Sequence, residues 1–87
     1  MASIPDAAGP HRVTVYHAEG CHLCGRALEV VRDARARQPF ELEEVDITGD
    51  EALEAAHREH LPVIEIDGVR AFTYFVSVDG LLARLGA

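Results

Sequence analysis

The chain has no tryptophan, no lysine and one methionine. No apolar run approaches the roughly 20 residues that a membrane-spanning helix needs, so no span is expected. The first residues, Met1 to His11, hold no basic n-region and no continuous apolar h-region. No secretory signal is therefore expected, and the cytoplasm is the expected compartment. Positive charge is scarce. Eight basic residues, all of them arginine, face 15 acidic ones, for a net charge of -7. Such a surface repels phosphates over most of its area, which disfavours nucleic acid and membranes as partners. The missing lysine reads as a compositional bias with little functional weight. Cysteine is nearly absent too: Cys21 and Cys24 are the whole supply. A bond between them would close a very short loop and remove little entropy from the unfolded chain. A structural staple is thus a poor reason for the pair. Catalysis or metal binding is a better one, especially in a reducing compartment.

What is present fits one small domain. Eighty-seven residues with 48% apolar content can just support a core. Residues 1–11 carry Pro5, Gly9 and Pro10 among small residues and are expected to form a flexible N-terminal extension. Residues 12–87 carry the fold. Arg12 to His17 reads as a central strand. From Cys21 the period changes. Leu23, Ala27, Val30, Val31 and Ala34 form one helical stripe, and the helix ends before Pro39. Glu29 and Asp33 stand at ion-pair spacings from Arg26, Arg32 and Arg37. Gly25 is an awkward early helical residue. Phe40 to Ile47 reads as a second strand whose alternation slips at Glu43, suggesting a bulge or a strand end there. Thr48 and Glu51 have capping-box spacing for a helix over 50–60, with Ala52, Leu53 and Ala56 inward. Leu61-Pro62 opens a third strand, Val63 to Ile66. Asp67-Gly68 predicts a type I′ hairpin to Val69–Thr73. Tyr74 and Phe75 are expected to pack in the core, and Arg70 to be solvated. A last helix carries Val78, Leu81, Leu82 and Leu85, with Ser77 or Asp79 as its cap.

The order is β-α-β-α-β-β-α, with the first βαβ parallel and right-handed. CxxC lies at the first strand-to-helix junction, and Leu61-Pro62-Val63-Ile64 opens the third strand. This pattern resembles the thioredoxin fold, and most of all the small bacterial glutaredoxin-like proteins, over about Arg12 to Leu85. The resemblance implies an α/β, thioredoxin-like fold with a four-stranded mixed sheet and three helices. It implies a thiol–disulfide oxidoreductase in which Cys21 attacks and Cys24 resolves. Pro62 would be cis and face the pair, and Leu61 would offer its backbone to a peptide or to glutathione. Asp79 would match an acidic residue of the glutathione site. The chain departs from thioredoxins by having Gly20 before the first cysteine and Val15 where they bury an aspartate. It departs from glutaredoxins by having His17 or Ala18 in place of a lysine, and Val76-Ser77 in place of a Gly-Gly pair. No bound cofactor is implied. Glutathione or another low-molecular-weight thiol is the expected co-substrate. A disulfide-containing protein or a thiol mixed disulfide is the expected partner, and a monomer the expected state.

Exchange needs a thiolate. At a pKa near 8.5 only about 3% of a free thiol is ionised at pH 7. A helix N-terminus offers unpaired N–H donors and the positive end of the dipole. His22, when protonated, would add charge and is counted with Leu61, Pro62 and Asp79 among the substrate-binding candidates. Lowering the pKa to about 6 takes roughly 3.4 kcal/mol. Thiolate fraction then rises about 30-fold while nucleophilicity falls about 10- to 20-fold. Attack gains only a few-fold, and the larger benefit is to Cys21 as a leaving group. Three other readings compete. Cys21, Cys24, His57 and His60 have Cys2His2 zinc spacing, although the two histidines read first as solvated residues at a helix end. Cys21 of two protomers could bridge an iron–sulfur cluster. A non-catalytic binding module could use the Leu61-Pro62 face.

Overall fold

The computed structural model describes residues 11–86. Residues 1–10, most of the expected extension, lie outside the described residues. His11 is tied down: its ring nitrogen lies 2.6 Å from Asp67 Oδ2, and its carbonyl accepts from Glu41 N–H at 2.8 Å. The elements are β1 (Arg12–His17), α1 (His22–Arg37), β2 (Glu41–Asp46), α2 (Glu51–His57), β3 (Val63–Ile66), β4 (Val69–Thr73) and α3 (Val78–Arg84). A 3-10 turn, Arg58–His60, prolongs α2. The sheet order is β2-β1-β3-β4. β1 pairs parallel with β2 and antiparallel with β3, and β3 pairs antiparallel with β4. The apolar β1 is internal, as its composition predicts. Asp67 and Gly68 both take positive φ, 53° and 84°, as a type I′ turn requires.

The main core lies on one face of the sheet. Val13 and Val15 of β1 and Ile64 and Ile66 of β3 meet Ala27, Val31 and Ala34 of α1, Leu81 of α3 and Leu85 just past its end. Each large apolar side chain so buried contributes about 1.5–3 kcal/mol over leaving it in water. Helix α1 turns a slightly different stripe inward than its periodicity suggests. Cys24, Ala27, Val31 and Ala34 are its buried residues, and Leu23 is exposed. Of the expected ion pairs along α1, Arg37–Asp33 forms. Arg32 instead reaches across to Glu44 of β2, with two hydrogen bonds of 2.8 and 2.7 Å.

The slip of alternation in β2 is not a bulge. Pairing with β1 runs in step from Glu41 to Asp46. Leu42 packs toward the α1–α3 core, whereas Val45, three residues on, joins a second cluster with Ala18, Cys24, Ile47 and Leu61. An odd spacing puts the two on opposite faces of the strand. The register irregularity of the sheet falls at Ile64/Glu65, between β3 and β4.

Helix α2 also starts differently. Asp50 is the N-cap and accepts from Leu53 N–H at 3.0 Å. Thr48 turns its hydroxyl to Glu19 N–H at 3.1 Å, bracing the loop before α1. Glu54 accepts from Gly49 N–H at 2.9 Å and pairs with Arg58, and both hold its carboxyl below the usual range. Leu53 is half-buried, but Ala52 and Ala56 are exposed, and His57 is the buried residue of this helix. Ser77 caps α3, accepting from Gly80 N–H at 2.9 Å.

Gly25 has ordinary helical backbone, and a Cβ built on it meets nothing within 4 Å. Nothing in the structure explains a glycine there. Gly25→Ala is expected to raise the unfolding free energy by about 0.5–1 kcal/mol, measured by urea denaturation. Destabilisation would show that the site needs its bare backbone.

Candidate active site

The strand β1 ends beneath a tight loop in which Gly20 has φ 79°, a conformation that glycine adopts without a Cβ penalty. That turn sets Cys21, in extended conformation, as the N-cap of α1. The Cys21 sulfur takes the role usually held by a serine or aspartate oxygen. It accepts from Cys24 N–H at 3.2 Å, one of the four donors a helix start leaves without a partner. Cys24 sits on the first turn, with its Cα 5.3 Å from that of Cys21, and the two sulfurs are joined in a disulfide. The pair is asymmetric. Cys21 is partly accessible, while Cys24 is 2% exposed and packs with Ala18, Ile47 and Leu61. Of the two sulfurs, that of Cys24 is the enclosed one.

Leu61 and Pro62 come to the same place. Leu61 belongs to the cluster that encloses Cys24, Pro62 is fully buried, and the peptide bond between them is cis. Tyr74 fastens this segment. Its N–H donates to Pro62 O at 3.0 Å, and its hydroxyl donates to Glu59 O at 2.9 Å. Its ring meets His60 edge-on. Tyr74 has φ 68°, costly for a residue with a side chain, and these contacts hold it there. It is exposed rather than packed in the core, as is Phe75. Sequence reasoning missed the anchoring role of Tyr74, and no local pattern signals it.

A third group lies on the sheet face opposite α1. The His57 ring stacks on Tyr16, with centroids 4.0 Å apart and planes 20° apart. Arg70 Nη2 donates toward His57 Nδ1 at 3.4 Å, which leaves the ring proton on Nε2. His57 is therefore a buried residue, not the solvated helix-end residue its sequence position suggests, and Arg70 has a partner. Burial and, after it, the Arg70 charge push the imidazole below its ordinary value. Burial, with Glu65 and Glu43 nearby, pushes the Tyr16 hydroxyl up.

A family model, the Glutaredoxin-like domain (DUF836), matches residues 12–86. The chain belongs to this glutaredoxin-like family. Among solved structures it is similar to protein Ne2328 from Nitrosomonas europaea, with 32% identity and a TM-score of 0.74 over 88% of this chain and 93% of that one. It is also similar to XcR50 from X. campestris, with 31% identity and a TM-score of 0.72 over 85% of this chain and 95% of that one. A malaria parasite's thioredoxin-2, at 20% identity and a TM-score of 0.72 over 88% and 82%, shares the thioredoxin fold. No curated protein matches. Fold, family and dithiol together give the chain a redox function in the general sense.

In this glutaredoxin-like protein the two remaining candidates, His22 and Asp79, are both exposed. His22 is exposed at the first position of α1. Asp79 is exposed in the first turn of α3, where Ser77, not Asp79, caps the helix. The zinc spacing does not become a site. His57 faces Arg70 and His60 faces Tyr74. Among the described residues, no three His, Cys, Asp or Glu side chains gather as metal ligands do.

The His57 environment has a thermodynamic consequence. The unfolded imidazole titrates near about 6.5, above its folded value, so between the two the unfolded chain binds more protons. Stability therefore rises with pH through that window and falls as pH drops below about 6.5. Urea unfolding between about pH 7.5 and 5.5 is expected to show a steeper loss for the native chain than for His57→Gln. Equal slopes would contradict the buried, neutral assignment.

Proposed function

We propose that the protein is a thiol–disulfide oxidoreductase that reduces disulfides or mixed disulfides through Cys21 and Cys24. The observation that carries this reading is the asymmetric pair: an accessible sulfur capping α1, bonded to an enclosed one. In the reduced protein the N–H donor and dipole that Cys21 meets at the helix start favour its thiolate. That thiolate attacks one sulfur of a substrate disulfide. A Cys21–substrate disulfide forms, and the other substrate sulfur leaves with the electron pair and is protonated. Cys24 then gives up its proton and attacks Cys21 Sγ. The second substrate thiolate leaves, and the Cys21–Cys24 disulfide remains. The substrate gains two electrons and the protein loses them. Two equivalents of a low-molecular-weight thiol, glutathione among the candidates, restore the dithiol by the same exchange in reverse.

In this reading the backbone at Leu61, held by the buried Pro62 and by Tyr74, lines the bound substrate next to the sulfurs. His22 and Asp79 stand at the rim, where they meet polar parts of the substrate. The protein acts as a monomer in the cytoplasm, as residues 12–87 with an N-terminal extension. Its substrate is a protein disulfide or a thiol mixed disulfide. No helix among the described residues is long and apolar enough to cross a membrane.

Turnover of a glutathione mixed disulfide tests the assignment. Cys21→Ser is expected to abolish it, because no accessible thiolate remains. Cys24→Ser is expected to keep monothiol turnover, with an external thiol resolving the intermediate. Full activity in Cys21→Ser would overturn the roles of the two cysteines.

A further inference from the structure

Seven of the eight arginines have a partner among the described residues. Arg12 pairs with Glu41, Arg32 with Glu44, Arg37 with Asp33 and Arg58 with Glu54. Arg35 donates to Phe40 O, Arg70 to His57, and Arg84 to Ala71 O. Arg26 has none. It stands two residues past Cys24 and, with Leu23, Val30, Phe75, Val76 and Val78, lines a groove of about 520 Å³ between α1 and the segment before α3. Leu23 is one of the two residues between the cysteines, so the groove shares a residue with the dithiol motif. Its apolar wall is open to water: Phe75 is 73% exposed and Leu23 37%. Arg26, a cation without an ion-pair partner among the described residues, thus lines the same groove as the largely uncovered Phe75 ring.

We propose that this groove docks a disulfide-bearing polypeptide segment that presents an apolar side chain and a carboxylate. The proposal rests on the oxidoreductase reading above and names its substrate class. The apolar side chain covers Phe75, Leu23 and Val78, removing their surface from water. The carboxylate meets Arg26, whose guanidinium offers it two parallel donors. Glutathione supplies carboxylates but no apolar side chain, so it leaves the wall uncovered. A basic segment meets the Arg26 charge without compensation. The long-range field of the acidic chain is screened beyond about 10 Å at ordinary salt, so the contact charge decides the preference. Arg26 and Phe75 are thus specificity residues: they select the substrate and take no part in the exchange at the sulfurs.

The test uses synthetic octapeptides whose single cysteine is held in a mixed disulfide with 2-mercaptoethanol. Flanks of leucine and glutamate, leucine and lysine, or serine and glutamate distinguish the two recognition elements. Reduction by the dithiol protein is followed by acid quench and chromatography. At low salt the Leu/Glu peptide is expected to exceed the Leu/Lys peptide in the single-turnover second-order rate constant by about threefold, the scale of one exposed charge pair. That ratio should invert in Arg26→Glu. The preference for Leu/Glu over Ser/Glu should vanish in Phe75→Ser. Each comparison is made within one variant, so loss of folded protein cannot mimic it. An unchanged ratio in Arg26→Glu overturns the proposal. A cysteine-free Leu/Glu peptide supplies a separate readout: NMR shifts at Leu23, Arg26, Phe75 and Val78 support the groove, and shifts elsewhere or none overturn it. Binding there without reduction of any peptide defeats the oxidoreductase reading and keeps the docking surface.

Discussion

The sulfur of Cys21 caps α1, and much of the structure serves to hold that cap. Its geometry needs a left-handed turn at Gly20, a loop braced by Thr48, and a first helical turn seated on the core through Cys24. The same contact links stability to chemistry. A helix start has N–H groups in need of an acceptor, and a thiolate is a better acceptor than a thiol. The donor that completes α1 is thus also one that would favour a thiolate at Cys21 once the disulfide is reduced. Cys24 lies in the apolar cluster, enclosed by Ala18, Ile47 and Leu61, while Cys21 is partly accessible.

The sheet divides its faces between two tasks. One face, under α1 and α3, is the main core. The opposite face is apolar near the cysteines, at Tyr16, Val45 and Val63, and polar farther away, at Thr14, Glu43 and Glu65, which sit side by side in the register. Helix α2 and its 3-10 turn cover the apolar end through Leu53 and His57 and then deliver the chain to Leu61 and Pro62. Tyr74 closes that delivery from β4, with one backbone and one side-chain bond. The segment beside the sulfurs is therefore fixed by contacts from three parts of the chain.

Much of this was legible from spacing. The element order, the central place of Val13 and Val15, the Asp67-Gly68 hairpin and the dithiol at the helix start all follow from local chemistry. The errors share one cause: a local pattern does not say which distant group or face a residue meets. The slip at Glu43 looks like a bulge because Leu42 and Val45 serve opposite sides of one strand. His57 looks solvated because nothing nearby in sequence reveals the Tyr16 ring it stacks on. Thr48 has capping-box spacing, yet a longer-range donor, Glu19 N–H, claims its hydroxyl and leaves Asp50 to cap. Tyr74 and Phe75 read as core because they are large and apolar, although one anchors the Pro62 segment from outside and the other stands in water.

The central claim is that the start of α1 stabilises the Cys21 thiolate. The pH dependence of alkylation of the reduced protein by iodoacetamide, with Cys24→Ser isolating the first sulfur, tests it most directly. A midpoint below about 7.5 is the expected result, inside the range of cysteines activated at helix N-termini. A midpoint at or above about 8.5, the value of a free thiol, would contradict the account.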